Sequence, residues 1–352
     1  MQKVRAKIHL KSIKDNALAF KNLTKTKLCA VIKAEAYGHG SVEIANALSG
    51  IADCFAVSLI DEAIAVRSAV CGKDVLVLTP PLSKQEAYLG VVNGFILTVG
   101  SLRTAKLIAD VCKEFKLRAR VHLKVNTGMN RYGMLAPALG KTCKFLRAQA
   151  FVNVQGVYSH LYDANEETAR LQRSRFLACK RVCDRYFENL TAHLSATYGT
   201  LLGEDFAFDM VRVGIGLYGY LPSGLQGKEK TVANGLKLKK GMTVYGTIVQ
   251  TRIYSGGGIA YGKPQKTARE ISLIRVGYAD GFARTRKNGT CGFENNANNL
   301  CMDACIRVGR LKQGQEIPLM IDADETAKAM DTISYEVLCN ATKRAVRVFD
   351  EY

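Results

Sequence analysis

The sequence predicts an α/β protein: an N-terminal (β/α)8 barrel of the TIM type, followed by a smaller, mostly-β C-terminal domain. Three observations predict it. Short apolar runs alternate with amphipathic stretches about eight times over the first two thirds of the chain. The polar residues able to carry chemistry fall at the ends of those runs, and strand ends in such a barrel share one face. From about Lys237 onward, strand-like runs are separated by glycine turns.

After an opening helix at about Ser12–Leu23, the apolar runs are Leu28–Lys33, Cys54–Ser58, Val75–Thr79, Phe95–Val99, Ala119–Val125, Val152–Ser159, Ala192–Ser195 and Asp209–Val213. The helical stretches between them include Ser41–Leu48, Asp61–Val70, Lys84–Val91, Ser101–Phe115 and Asn165–Phe187. Asp61 and Ser101 sit near helix starts, where side-chain oxygens cap free N–H groups. The second domain reads as strands at Val244–Tyr254, Ile271–Tyr278, Cys305–Val308, Gln315–Ile321 and Ala345–Phe349, with a short helix at about Thr326–Met330. The expected division is 1–225 for the barrel, 226–240 for a hydrophilic, lysine-rich linker and 241–352 for the β domain, with the first strand free to join the latter. Asn295–Asn299 is the one low-complexity patch and reads as a surface loop.

Composition excludes several classes. A chain of 352 residues is long enough for one large barrel and a smaller domain, or for two to three ordinary domains. It has no apolar run long enough for a membrane span. Met1–Leu10 alternates charge with hydrophobe, which makes a strand rather than the apolar centre of a signal peptide, so a cytoplasmic protein is expected. Eleven cysteines are dispersed without a CxxC pair, and with five histidines they show no zinc spacing; no metal is expected, and free thiols in a reducing compartment account for them. The net charge of +19 is spread along the chain, with Lys237-Leu238-Lys239-Lys240 its densest cluster. No stacking-aromatic or DNA-binding helix pattern accompanies it, so no nucleic-acid partner is expected; attraction to anionic ligands explains the charge as well.

Lys33 closes the first apolar run and is followed by a glycine-containing turn that carries Tyr37. A lone lysine there is ordinarily solvated, but burial at the mouth of an apolar scaffold lowers its pKa and frees the amine for imine formation. Lys124 closes the fifth run, His160 and Ser195 the sixth and seventh, and Arg212 lies at the end of the eighth, before Gly214-Ile215-Gly216. Free N–H groups at such a glycine-rich helix start favour an anion. Together with a lysine, they suggest a phosphorylated aldehyde cofactor, and pyridoxal 5′-phosphate fits. An arginine beside its pyridine nitrogen would keep that nitrogen unprotonated and tilt the chemistry toward proton exchange at Cα. In the second domain, Tyr261 and Tyr278 stand in glycine turns. Proton exchange with inversion needs acid/base groups on both faces of Cα, and a tyrosine could serve one face if positive charge lowered its pKa.

At this point the chain resembles the alanine racemase family from about residue 5 to 350. The resemblance is carried by Ala30–Gly40, Leu123–Arg131, Val157–His160, Val211–Ile215, Gly277–Gly281 and Cys301–Asp303, in the family's order and spacing. It implies a pyridoxal 5′-phosphate-dependent, two-base interconversion of L- and D-alanine in a homodimer, supplying D-alanine for peptidoglycan. Lys33 would hold the cofactor and serve as base toward the D-enantiomer. Tyr261, reaching in from the other subunit, would act on the L-enantiomer. His160 and Arg212 would form a hydrogen-bonded link that tunes Tyr261 and contacts the ring nitrogen. Tyr37, Ser195, Gly214, Ile215 and Tyr335 would hold the phosphate. Arg131 and the backbone at Met302 would bind the substrate carboxylate, a carbamylated Lys124 would position Arg131, and Tyr278 would line the substrate entrance.

The chain also departs from the family pattern. Glu35 replaces the usual Asn, and Ala283 a usual Pro. His193-Leu194 stands where Ala-Asn is common, removing a possible supporting hydrogen bond, and Asn298-Asn299 where Gly-Arg is common. The alternatives are a racemase of serine or of a broader amino-acid range, a non-catalytic cofactor carrier on the same barrel, and a related decarboxylase. The second domain bearing Tyr261 opposes the carrier, and Arg212 opposes the decarboxylase, which would use an acidic partner for the ring nitrogen.

Overall fold

The computed structural model describes residues 4–70, 72–222, 225, 227–254, 256–261, 269–283 and 300–350. The first strand, β1 (Arg5–Ile8), is followed by a helix at Leu10–Thr24 and then by eight parallel strands. These are β2 (Lys27–Val31), β3 (Cys54–Val57), β4 (Val75–Val77), β5 (Ile96–Val99), β6 (Ala119–Lys124), β7 (Val152–Tyr158), β8 (Thr191–His193) and β9 (Met210–Val213). Their order is β8-β7-β6-β5-β4-β3-β2-β9. The two ends then meet: the Asp209 N–H donates to the Ala192 carbonyl at 3.1 Å and the Arg212 N–H to the Ser195 carbonyl at 2.9 Å. The Asp209 carboxylate also accepts from the Ala192 N–H at 2.7 Å, so the sheet closes into a barrel.

The barrel strands are continuous apolar runs because helices cover one face and the barrel core the other. Leu28–Val31, Val75–Val77 and Ile96–Val99 are buried throughout. Ser101 caps the helix Leu102–Phe115, accepting from the Thr104 N–H at 3.1 Å. The helix Ala136–Arg147 was missed because its Leu139, Cys143 and Leu146 are interrupted by Gly140 and lysines.

The second sheet contains β10 (Met242–Tyr254), β11 (Arg269–Ile274), β12 (Cys305–Val308), β13 (Glu316–Met320) and β14 (Val346–Phe349). Its order is β12-β11-β10-β1-β14, with β13 also on β10. The opening strand therefore belongs to the second sheet, antiparallel to β10 and parallel to β14. The segment expected as linker contains a helix, Gly227–Leu236. The short helix is longer than expected, Ala323–Met330, and a second, Ser334–Asn340, packs after it. Asn295–Asn299 lies outside the described residues. Among those described, nine cysteines are free, no cluster could hold a metal ion, and no helix is long and apolar enough to cross a membrane.

One local feature sets the site. Lys33 stands two residues beyond β2, not in it, and opens a single turn, Lys33–Tyr37, that winds left-handed. Ala34, Glu35, Ala36 and Tyr37 all have φ of 51–55°. Non-glycine residues pay roughly 1–2 kcal/mol each for this conformation, so something must hold it. Glu62, at the start of the helix Ile60–Val66, accepts from the Ala34 N–H at 2.7 Å and the Ser58 N–H at 2.6 Å. The buried His39 ring donates from Nδ1 to the carbonyls of Ala36 and Tyr37, at 2.9 and 3.0 Å. From the second sheet, Arg347 donates to the Gly38 carbonyl at 2.8 Å and stands 3.7 Å from Glu35.

Gly38 closes the turn at φ 84°, and a Cβ there would lie 2.3 Å from the Leu338 carbonyl oxygen. Gly38→Ala is expected to cost about 2–4 kcal/mol, from backbone strain and overpacking together. A chemical-denaturation midpoint unchanged from the parent would contradict this.

Candidate active site

A cavity of about 550 Å³ opens at the C-terminal end of the barrel strands. Nine of the thirteen expected site residues line it: Lys33, Tyr37, Lys124, Arg131, His160, Arg212, Gly214, Ile215 and Tyr335. The left-handed turn lets Lys33 and Tyr37, four residues apart, face the same space. β6 ends in Lys124, β7 is followed by His160, and β9 contains Arg212. Tyr335 comes from the helix Ser334–Asn340 of the second domain, so both domains wall the cavity.

The cavity is cationic. Its lining holds two lysines, two arginines and His160 against one acid, Asp163, among the described residues. Burial first, and the Arg131 charge second, lower the pKa of the half-buried Lys33 amine. The same two causes, with Arg212 added, push buried Lys124 well below the usual lysine value. Its Nζ lies 4.3 Å from the centre of the Tyr158 ring. His160 is likewise held well below its usual value, by burial and then by the charges of Lys124, Arg212, Arg131 and Lys33; it is neutral at pH 7. Burial pushes the Tyr335 phenol up to about 12 and the Tyr37 phenol higher still. Both remain protonated donors. A Cβ at Gly214 would lie 2.5 Å from the Tyr37 hydroxyl, so glycine is what lets that hydroxyl approach the backbone.

Arg212 differs from expectation. Its Nη1 is 2.7 Å from His193 Nδ1 and donates to the His193 carbonyl at 3.0 Å. Its Nη2 donates to the carbonyls of Ser159 at 2.6 Å and Leu194 at 3.1 Å. A guanidinium has five N–H groups. Four are spent on the barrel wall, and Nε–H is the one left for the cavity. No Nη–H remains for His160, so the expected His160–Arg212 link is replaced by one to His193. The substitution at His193-Leu194, expected to remove a supporting hydrogen bond, supplies one.

Ser195 differs too. Its buried hydroxyl donates to the Phe206 carbonyl at 2.6 Å and does not line the cavity; Ala196 and Thr197 do. Tyr261, Tyr278 and Met302 also lie outside the cavity and are 73%, 42% and 54% exposed. The Tyr278 N–H donates to the Cys301 carbonyl at 3.0 Å, and the Ala279 N–H to that of Met302 at 3.1 Å, which sets Tyr278 beside Met302 on one surface.

Residues 8–222 match the alanine racemase N-terminal domain family and residues 241–349 the alanine racemase C-terminal domain family. The chain belongs to the alanine racemase family. It is 32% identical to the alanine racemase of Clostridium novyi, covering 99% of this chain and 96% of that one. It is 30% identical to that of Methanococcus maripaludis, with 98% of each covered. Among solved structures, the alanine racemase of Clostridium difficile 630 superposes with a TM-score of 0.90 at 28% identity, over 99% of this chain and 96% of that one. The alanine racemase of Bartonella henselae, described with covalently bound pyridoxal phosphate, does so with a TM-score of 0.85 at 25% identity, over 99% of this chain and all of the other.

Proposed function

We propose that the chain is an alanine racemase that interconverts L- and D-alanine with pyridoxal 5′-phosphate held in the barrel cavity. The observation that carries this is the pairing, in one cationic cavity, of a half-buried lysine of lowered pKa with an arginine that has one N–H to spare. The residues present fit the cofactor: an amine for its aldehyde, phenol donors at the Gly214 cradle for its phosphate, and net positive charge for both anions.

When bound, the cofactor supplies an aldehyde that joins an amine and a ring that withdraws electrons from Cα. Lys33 would hold the aldehyde carbon and, once released as a neutral amine, take or give the Cα proton on one face of the substrate. Arg212 would aim Nε–H at the ring nitrogen; its permanent charge disfavours a proton there, which leaves the ring a weak electron sink and favours return of the proton to Cα. The hydroxyls of Tyr37 and Tyr335 and the backbone at Gly214 and Ile215 would hold the phosphate, and the Ser195 hydroxyl would join them only by turning from the Phe206 carbonyl. Arg131 would take the substrate carboxylate. Lys124, whose pKa burial holds well below the usual lysine value, is suited to add carbon dioxide with loss of a proton, and the carbamate's negative charge would then face Arg131 and Arg212.

The second base is Tyr261, supplied by a partner subunit together with Tyr278 and Met302. All three are exposed and lie outside this chain's own cavity, which supports a shared site in a homodimer. The test is complementation. Lys33→Ala and Tyr261→Ala chains, each inactive alone, are unfolded together and refolded as a mixture. Mixed dimers would hold one intact site, so activity should reappear at about a quarter of the parent value from random pairing. A mixture as inactive as its components, with dimers present, would contradict the shared site.

A further inference from the structure

A second histidine stands behind the first. His122 on β6 and His193 on β8 are separated by β7, yet their rings meet: His122 Nδ1 is 2.8 Å from His193 Nε2. The ring of His122 can cross because its register partner on β7 is Gly156. A Cβ there would lie 2.8 Å from the His122 ring, in the space the imidazole now fills. Tyr158, the register partner of His193, stacks on the His193 ring at 4.7 Å and an interplanar angle of 4°. Arg212, His193 and His122 are 3%, 0% and 4% exposed, so water takes little part in the chain.

The direction of this chain follows from what each group can do. A guanidinium only donates, so His193 Nδ1 must be the acceptor of the Nη1 hydrogen bond. The proton of a neutral His193 then sits on Nε2, and that N–H donates to His122 Nδ1, which in turn puts the His122 proton on Nε2. Burial first and the Arg212 charge next hold His193 well below its usual pKa; burial holds His122 down to about 3. Both rings are therefore neutral at pH 7.

We propose that His193, held in its Nε2–H form by His122 reaching across Gly156, is the positioning residue that turns Arg212 so that its Nε–H faces the cavity. The pair replaces the His160–Arg212 link and leaves His160 separate from the arginine. This rests on the reading of Arg212 as the residue that faces the cofactor's ring nitrogen. His193 touches neither substrate nor cofactor and acts through Arg212.

Two measurements test it. In the purified full-length protein with histidine labelled by ¹⁵N, assigned by comparison with His193→Asn and His122→Asn, nitrogen shifts at neutral pH should show His193 Nδ1 unprotonated and Nε2 protonated. Protonated Nδ1 on His193 would overturn the proposal whatever the enzyme does with alanine. In the cofactor-loaded protein, His193→Leu removes the acceptor, whereas His193→Asn keeps an oxygen at the δ1 position. Loss of a buried hydrogen bond to a charged group predicts a fall in kcat of about 10- to 100-fold for His193→Leu. KM for alanine should stay within about twofold, since Arg131 is untouched, and His193→Asn should recover most of kcat. Equal losses in the two variants, or a loss confined to KM, would overturn it. Should His193→Leu fail to fold, His122→Leu removes the acceptor of the His193 Nε2–H and leaves β7 and β8 unchanged in sequence, and an unchanged His193 nitrogen spectrum there would overturn the role of His122. Parent protein that never interconverts the alanine enantiomers would sink the racemase reading, while the tautomer result would still decide the histidine chain.

Discussion

Lys33→Ala is expected to reduce alanine racemisation by roughly 10⁴-fold or more and to abolish covalent attachment of the cofactor. Two roles are lost with one amine. Burial, then the charge of Arg131, lower the Lys33 pKa and so raise the fraction of neutral nucleophile at a given pH. Lys124 cannot substitute: it lies buried against the Tyr158 ring on the barrel wall. Lys33→Arg should be no better, because a guanidinium keeps its proton and cannot form the imine. The check is loss of cofactor that borohydride reduction of the imine fixes to the chain through denaturation and dialysis, alongside Cα exchange in deuterium oxide. Activity within tenfold of the parent would contradict the assignment.

Tyr261→Phe is expected to act on one enantiomer. Inversion needs a group on each face of Cα, so racemisation should fall in both directions by roughly 10²–10⁴-fold. Exchange of the Cα proton without inversion divides the two bases. From D-alanine, Lys33 still takes and returns the proton, so deuterium should enter at close to the parent rate. From L-alanine, where the phenol oxygen is missing, deuterium entry should fall with racemisation. Equal loss of exchange from both enantiomers, with Lys33 still attached to cofactor, would contradict the two-base assignment.

Much of the barrel was legible because its physics is local. Parallel strands buried on both faces are unbroken apolar runs; six of the eight anticipated runs contain the strand observed, and β2 and β8 each begin one residue earlier than expected. The helix Ala136–Arg147 was not legible, since its narrow apolar stripe is diluted by lysines and a glycine. Nor was the left-handed turn after Lys33. Glu35 and the alanines beside it carry no preference for positive φ, and the turn stands because Glu62 and Arg347, both distant in sequence, and the neighbouring buried His39 hold it.

The candidate site divides in the same way. Lys33, Tyr37, Lys124, Arg131, His160, Arg212, Gly214, Ile215 and Tyr335 were named from the sequence and converge on one cavity. Ser195 was named for a hydroxyl whose direction no sequence reveals; the Phe206 carbonyl captured it. His122, Gly156 and His193 gave one usable signal, a glycine within a β-strand, which marks close approach of another group.

By itself the sequence determined the architecture, the family and the chemical types at the strand ends, since these depend on which residue stands at each place along the chain. Tertiary structure alone decided which hydrogen bonds those residues make. Arg212 has five N–H groups and many possible acceptors; closure of β8 against β9 brings His193 and the carbonyls of Ser159 and Leu194 within reach and leaves one N–H for the cavity. Hydrogen bonds have short range and fixed direction, and only the folded barrel sets either.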